Sequence, residues 1–390
     1  MRRQFVAISK VGINVLYRWR CHRNERRSIV VFLSRKAEEP SYDFRTLAAA
    51  FRARGWDTRM HLQNIALHNF PSYVKHVIRE IDLLSKCSVV IMDRYDPIIS
   101  LTDFDCESHP ELAQGDKPLH TDFPVNPLVI QIWHAFGAFK KFGYQSVGTP
   151  EGHTREVTNV FNIHRNYSWI VCSGENCREA FADAFRYPVE RVLPLNRPEY
   201  NELLAMGNQL TQQQAAHSTK EAHPSAPVRI LFAPTLRKSR SSKHPFRDLY
   251  RQRFVFEKKV KGHATWSFHP LESNLPAPGN VSAQLLSTDL VVTDYSSIVY
   301  EAYLLRKPVL FFIPDFEDYE KSPGLNSDPT VLCPELCIID PDKLASAINR
   351  YTAHPDQYPW EAFNRFAAGA FDEEGEDPLD TIVNLAIGEE

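Results

Sequence analysis

The stretch QIWHAFGAFKKFG, residues 131–143, runs from apolar residues into a single imidazole, His134, with Lys140 and Lys141 just beyond. A histidine delivered by a strand end suits a base that works near neutrality. Two readings stand open on these residues alone. In one, Phe136, Phe139 and Phe142 form an apolar stripe and His134 is a satisfied core residue. In the other, the strand carries a base into a cleft.

The partner such a base needs is an anion site, and three later segments offer one. In LVVTDYSS, residues 290–297, a strand closes on Thr293, and Asp294, Tyr295, Ser296 and Ser297 turn into a helix. Helix N-termini present unpaired N–H groups and a partial positive charge, and serine hydroxyls add donors, so a diphosphate fits there. The competing reading is a serine that only caps the helix. Glu301, one turn further on, is placed to reach a ribose hydroxyl. RILFAPTLRKS, residues 229–239, ends a strand on Thr235, with Arg237 and Lys238 as phosphate-binding cations. ATWSFHP, residues 264–270, closes on His269, a further donor to a phosphate oxygen.

The elements that would position these residues alternate along the chain. Strand-length apolar runs occur at 28–34, 88–93, 128–134, 169–173 and 191–196, with TRMHLQ at 58–63. Residues 43–55 read as a helix with an Asp43 cap and a closing glycine. A second series runs through 229–235, 290–297 and 308–314, with a helix near 298–306. Short apolar strands separated by helices imply parallel sheets covered on both faces. Residues 204–226 are rich in Gln, Ser, Thr and Ala and lack an apolar period, so an interdomain linker is expected over 204–228. The expected organisation is α/β: a first domain over 28–203, a second over 229–354, and an acidic helical tail over 355–390. Ligands of open α/β sheets bind beyond the carboxyl ends of strands, where the residues above lie.

Two domains suit 390 residues. The formal net charge of −3 argues against a nucleic-acid partner for the chain as a whole. It hides an asymmetry: residues 1–27 hold eight Arg or Lys and one acid, a formal +7, leaving −10 for the rest. If that segment is helical, Phe5, Ile8, Val15, Leu16 and Trp19 fall near one face, a pattern suited to an anionic membrane surface. Lys10 interrupts any secretory apolar run, and no stretch approaches the roughly 20 apolar residues that span a bilayer. Seven scattered cysteines without a C-x-x-C pair read as reduced thiols of a cytosolic compartment; neither disulfides nor a metal site is expected.

Together, WHAFGAFKKFG, LFAPTLRKS, FHP and TDYSSIVYEAYLLRKPVLFF, followed by PDFEDYEKSPG at 314–324, resemble the CDP-glycerol glycerophosphotransferase family. FLSRK at 32–36 and PSYDFRTL at 40–47 resemble its short branch, which contains the teichoic acid glycerophosphate primase. The resemblance spans roughly residues 28–350 and implies a GT-B architecture, two Rossmann-like domains with the site between them. It implies CDP-glycerol as donor, a polyprenyl-diphosphate-linked saccharide as acceptor and a peripheral place on the cytoplasmic face of the membrane. His134 matches the family's base. His269, Ser296 and Ser297 match donor-diphosphate positions, and Thr235 and Arg237 match its Pro-Thr-x-Arg element.

Several positions depart from the family pattern. Ala135 replaces a glycine, and Lys140 comes one residue late. Ser267 stands where many members have Lys, and Pro323 where Arg is usual. Pro198-Glu199-Tyr200-Asn201 takes the place of a Pro-Arg-x-Asp element without its Arg or Asp. The activity expected is transfer of glycerol phosphate to an acceptor hydroxyl with release of CMP, His134 taking the proton. Thr293, Asp294, Glu301 and Lys140 complete the expected binding set, and no cofactor is expected. The alternatives are a CDP-ribitol donor, a nucleotide-sugar glycosyltransferase of the same architecture, and a non-catalytic protein of the membrane surface.

Overall fold

The computed structural model describes residues 2–64, 70–112, 118–218, 227–237, 243–269, 271–272, 275–276, 281–373 and 375–388. Two all-parallel sheets organise them. The first contains β1 (Arg27–Ser34), β2 (Asp57–Leu62), β3 (Cys87–Met92), β6 (Leu128–Gln131), β7 (Trp169–Cys172) and β8 (Val192–Pro194), in the order β2-β1-β3-β6-β7-β8. A short antiparallel pair, β4 (Asp105–Ser108) and β5 (Asp122–Asn126), lies outside it. The second contains β9 (Arg229–Phe232), β10 (His263–Trp266), β11 (Leu290–Thr293), β12 (Val309–Phe312) and β13 (Cys337–Ile338), in the order β10-β9-β11-β12-β13. The α/β fold is therefore as the sequence implies, and both sheets are parallel because helices cover their faces.

Each sheet reverses its strand order once, and both reversals matter. In the first, the chain builds outward from β1 to β2, then returns to place β3 on the other side of β1. In the second, β9 plays the same part between β10 and β11. Loops leaving neighbouring strands on either side of such a reversal diverge and open a crevice. Ser34 and Asp93 lie at the first crevice; Thr235 and Asp294 lie at the second.

Several strands are shorter than their apolar runs. The run at 128–134 is a strand only to Gln131. The helix expected over 43–55 spans Tyr42–Ala53, and its cap is Ser41, whose Oγ accepts from the Phe44 N–H; Asp43 is not the cap but a buried first-turn acid. Much of the segment expected as a linker is helical: Glu199–Ser218 forms one helix, and 219–226 lies outside the described residues. Gln, Ala and Leu all favour helix, whatever their polarity. Tyr200 and Leu203 anchor its start, and Gly207 lets it approach so closely that a Cβ would lie 2.0 Å from the Leu304 oxygen.

Apolar packing joins the two sheets. Phe139, which leaves the first sheet, meets Tyr295, Phe311 and Phe366 of the second. The final helix, Pro378–Ile387, returns to the first sheet, where Ile382 and Val383 share a cluster with Phe44 and Phe51. The cysteines are all free thiols. Among the described residues, no helix is long and apolar enough to cross a membrane.

Candidate active site

His134 does not sit on a strand. Trp133 adopts a left-handed backbone conformation, φ 57°, and turns the chain out of the sheet just before it. A bulky residue rarely holds that conformation unless packing imposes it. Here the indole lies among Phe142, Phe181 and Phe185, and the Trp133 main-chain N–H donates to Gln131 Oε1 at 2.9 Å. The turn brings His134 Nδ1 within 3.3 Å of the Asp93 carbonyl oxygen. A carbonyl only accepts, so Nδ1 carries the proton and Nε2 presents its lone pair.

His134 is exposed to solvent, although the protein packed nearby partly desolvates its ring. That crowding, together with the positive charges of Arg94, Arg197 and Lys140, holds its pKa well below the ordinary imidazole value. The imidazole is therefore neutral at physiological pH, the state a base requires.

The loop beyond His134 is fastened to the second sheet's elements. Gly137, φ 65°, donates its N–H to Ser173 Oγ at 2.8 Å, and a Cβ there would lie 2.1 Å from the Tyr300 ring. Lys140 bridges to Leu325, Lys141 N–H donates to the Gly324 oxygen at 3.0 Å, and Asn326 N–H donates to the Phe139 oxygen at 2.9 Å. The phenylalanine stripe thus packs as the sequence suggests, but Phe139 faces the other sheet. The same pairing with the PDFEDYEKSPG segment fixes Lys140, one residue later than the family pattern.

His269 lies exposed after β10, its Nδ1 accepting from the Leu271 N–H at 3.1 Å, which leaves the proton on Nε2 to donate outward. Its pKa is lowered, first by partial burial and then by Lys36; Lys140 and Arg94 also act on it, while Glu272 opposes them. Arg94 and Lys140 therefore bear on both histidines. The two imidazoles, which follow strands of different sheets, thus feel the same two positive charges.

Ser296 and Ser297 are half-buried at the start of the helix Ile298–Leu304. Ser297 occupies the cap position without a side-chain cap bond, and Ser296 Oγ lies 3.5 Å from the Ile298 nitrogen. Capping therefore does not account for the Ser297 hydroxyl, and Ser296 makes only this one long local bond.

Other expected residues hold the site together and do not line it. Asp294 Oδ1 accepts from the Thr235 and Tyr295 N–H groups, both at 2.7 Å. The Arg237 guanidinium lies 3.0 Å from Asp294 Oδ2 and 2.8 Å from Asp315 Oδ2, and packs over Tyr319 and Tyr295. Arg237, Asp294 and Asp315 are all buried. The cation expected to hold phosphate is instead neutralised by two carboxylates. Thr293 Oγ1 donates to the Ala233 oxygen at 2.6 Å and ties β11 to the chain leaving β9. Lys238 lies outside the described residues. Glu301 accepts from Ser282 Oγ at 2.8 Å; burial raises its pKa, and Arg197 partly opposes this.

Arg94 and Arg197, which the motif reading did not single out, both bear on the His134 imidazole. Arg197 is buried, its Nε donating to Asp43 Oδ2 at 2.9 Å and its Nη2 paired with Glu199. Glu199 N–H donates to Asp43 Oδ1 at 2.8 Å, and burial pushes the Glu199 carboxyl up to about 7. Arg197 and Glu199 thus form an arginine–acid pair at the start of the Pro198-Glu199-Tyr200-Asn201 stretch, held by Asp43. Its signal was the Asn-Arg-Pro that follows β8. Arg94 follows the β3 end, at the strand-order reversal.

A family model described as CDP-glycerol:poly(glycerophosphate) glycerophosphotransferase matches residues 15–368. The chain is 29% identical over 264 residues to the teichoic acid poly(ribitol-phosphate) polymerase of Bacillus spizizenii, covering 64% of this chain and 41% of that protein. It is 28% identical over 263 residues to the teichoic acid glycerol-phosphate primase of the same organism, covering 60% and 65%. The chain spans about half the length of the curated relatives it matches. Among solved structures, the wall teichoic acid polymerase TagF is similar with a TM-score of 0.64 at 16% identity, over 99% of this chain and 97% of that one. The UDP-GlcNAc 2-epimerase of Neisseria meningitidis is similar with a TM-score of 0.50 at 14% identity, over 93% and 99%. At such identities the likeness is one of fold.

Proposed function

The chain belongs to the CDP-glycerol:poly(glycerophosphate) glycerophosphotransferase family, and on that footing we propose that it transfers glycerol phosphate from CDP-glycerol to a hydroxyl of a lipid-linked saccharide, releasing CMP. The observation that carries this reading is that His134 and His269, on different sheets, share Arg94 and Lys140 as charged neighbours. A dianionic diphosphate fits a space bordered by those cations. On this reading the two sheets are the Rossmann-like halves of a GT-B enzyme. The domains run over 28–203 and 229–354, and the intervening segment serves as the connection.

The acceptor hydroxyl approaches His134 Nε2, which takes its proton as the oxygen attacks the phosphorus bearing glycerol. The bond from that phosphorus to the oxygen bridging to CMP breaks, and CMP leaves with the electron pair. His269, the Ser296 and Ser297 hydroxyls and the N–H groups beside them hold the diphosphate and stabilise the charge that builds on CMP. Arg94 and Lys140 add long-range stabilisation. Transfer of this kind depends on positioning and electrostatics more than on covalent chemistry. Arg237, Asp294 and Thr235 act one layer further out, fixing the turn that presents the serines.

CDP-ribitol is the second reading. The relatives include a ribitol-phosphate primase of Bacillus spizizenii, 29% identical over 211 residues, besides the glycerol-phosphate primase. Contact with an anionic membrane surface completes the proposal. On the helix Arg2–Cys21, Ile8, Val11, Val15 and Trp19 stand exposed in one row, with Arg18 and Arg23 exposed as well. Leu16 packs on the core, and the Phe5 side chain lies outside the described residues. The test is to incubate the purified chain with CDP-glycerol or CDP-ribitol, with and without a lipid-linked disaccharide, and to follow CMP. Acceptor-dependent CMP from CDP-glycerol supports the reading; release from CDP-ribitol alone replaces the donor. Failure of both donors overturns it.

A further inference from the structure

Far along the first sheet from β6, the edge strand β2 carries His61, and the helix Phe70–Leu84 carries His76 and Glu80. Residues four apart share one face of a helix. Here that face lies against the sheet edge, so the three side chains meet. All three are buried, Glu80 to 1% exposure. The imidazole rings stack with centroids 4.0 Å apart and planes 20° from parallel. Glu80 Oε2 lies 3.4 Å from His76 Nε2 and 3.8 Å from His61 Nε2.

Four polar atoms of this cluster make no hydrogen bond of good geometry. His61 Nε2, His76 Nε2 and both Glu80 carboxylate oxygens are buried without one among the described residues. A buried carboxylate without hydrogen bonds costs far more than an ordinary surface acid, and such groups are normally paired or bound to a metal. The neighbouring cation, Arg35, is 3.6 Å from Asp96 and so is directed to another acid. Asp96 itself caps the following helix through Oδ1, and it also neighbours Glu80: burial, and then the Asp96 carboxyl, hold the Glu80 pKa well above the ordinary carboxylate value.

We propose that His61, His76 and Glu80 form a binding site for a divalent transition-metal cation of the zinc type. Two imidazole nitrogens and one carboxylate oxygen are the donor set that zinc accepts, whereas magnesium and calcium prefer oxygen ligands. The ligating atoms all lie within 4.8 Å of one another. Zinc–nitrogen bonds of about 2.0–2.1 Å place tetrahedral ligands about 3.3 Å apart, close to the two separations observed. Three protein ligands leave a fourth position for water. The ion would pin the helix Phe70–Leu84 to the exposed edge of β2. In the sequence the ligands are fifteen and four residues apart, a spacing that shows no motif until the helix docks. That is why the sequence reading expected no metal site.

The probe is Co²⁺ alone, whose visible absorption reports tetrahedral coordination, followed by competition with Zn²⁺. The untagged full chain, stripped with chelator, is titrated with each ion, and bound metal is counted after dialysis. One equivalent of Co²⁺ with a tetrahedral band, displaced by Zn²⁺, is the expected result. Glu80→Gln, which keeps the shape of the side chain, and His76→Ala should each weaken binding more than about 100-fold. His109→Ala, at an exposed cluster with Glu107 and Glu111, should leave it unchanged. If His76→Ala fails to fold, Glu80→Gln decides. The proposal is overturned if the wild-type chain binds no stoichiometric metal, or if Glu80→Gln binds it as tightly as wild type. Neither result bears on glycerol-phosphate transfer.

Discussion

His134 Nδ1 donates to the main-chain oxygen of Asp93 across 3.3 Å, so a loop leaving β3 orients the imidazole that follows β6. The contact crosses between adjacent strands of one sheet, beside the strand-order reversal. It fixes the tautomer and points Nε2 away from the backbone. Crowding and three nearby cations then keep the ring neutral.

The first prediction concerns pH. A base is lost when it gains a proton, so turnover falls as pH drops through the folded pKa of His134. That pKa is lowered, so the acid limb of kcat/KM should lie well below the ordinary imidazole value of about 6.5. Lys140→Gln removes a charge that disfavours the imidazolium. The pKa should then rise and the acid limb should move to higher pH. A limb that stays in place in the pH–rate profile would remove Lys140 from the electrostatics of the base.

The second concerns the loop beyond the base. Gly137→Ala adds a methyl against the Tyr300 ring in a left-handed backbone conformation. Strain and overpacking together should cost about 2–4 kcal/mol in denaturant unfolding, and turnover should fall with it. Gly148 has φ 85° but open space around it. Gly148→Ala should therefore cost clearly less. Equal losses at the two glycines would show that the close approach to Tyr300 does not matter.

These two residues also measure how legible the site was. The apolar runs gave the strands, because buried parallel strands are nearly continuous in Val, Ile and Leu. His134 was legible as a polar residue at the end of such a run. That it stands three residues past the strand, after a left-handed Trp133, was not, since tertiary packing imposes that conformation. Phe139 was legible as packing, but no periodicity says which sheet it packs on. Glu199–Ser218 was misread because its polarity resembles a linker, while its Gln and Ala content favours helix. Arg197 was missed because only its ion pair with Asp43, far away in sequence, reveals it.

The third prediction separates a binding role from a structural one at Arg237. Arg237→Met leaves Asp294 and Asp315 buried without their counter-ion, and breaking such a pair costs about 3–5 kcal/mol. Unfolding by denaturant should report that loss. If the variant keeps wild-type stability and only its KM for the donor rises, Arg237 touches the donor directly.

The fourth concerns the membrane. Removing residues 1–27 would also strip Val6, Ile13 and Tyr17 from the core, so it confounds binding with folding. Ile8→Asp and Val15→Asp alter exposed positions alone. Each should change stability by no more than about 0.5 kcal/mol. Together they should abolish co-sedimentation with anionic vesicles, which should also weaken with salt in the wild-type chain. Undiminished co-sedimentation of the double variant would contradict the proposed contact.

The central claim is that the space between His134 and His269 performs group transfer with His134 as base. The most direct measurement compares CMP release by the wild-type chain and by His134→Asn, at saturating CDP-glycerol with a lipid-linked acceptor, alongside donor affinity. The account predicts turnover reduced about 10²–10⁴-fold in the variant, with donor affinity nearly unchanged. A variant that retains most of its turnover would contradict it.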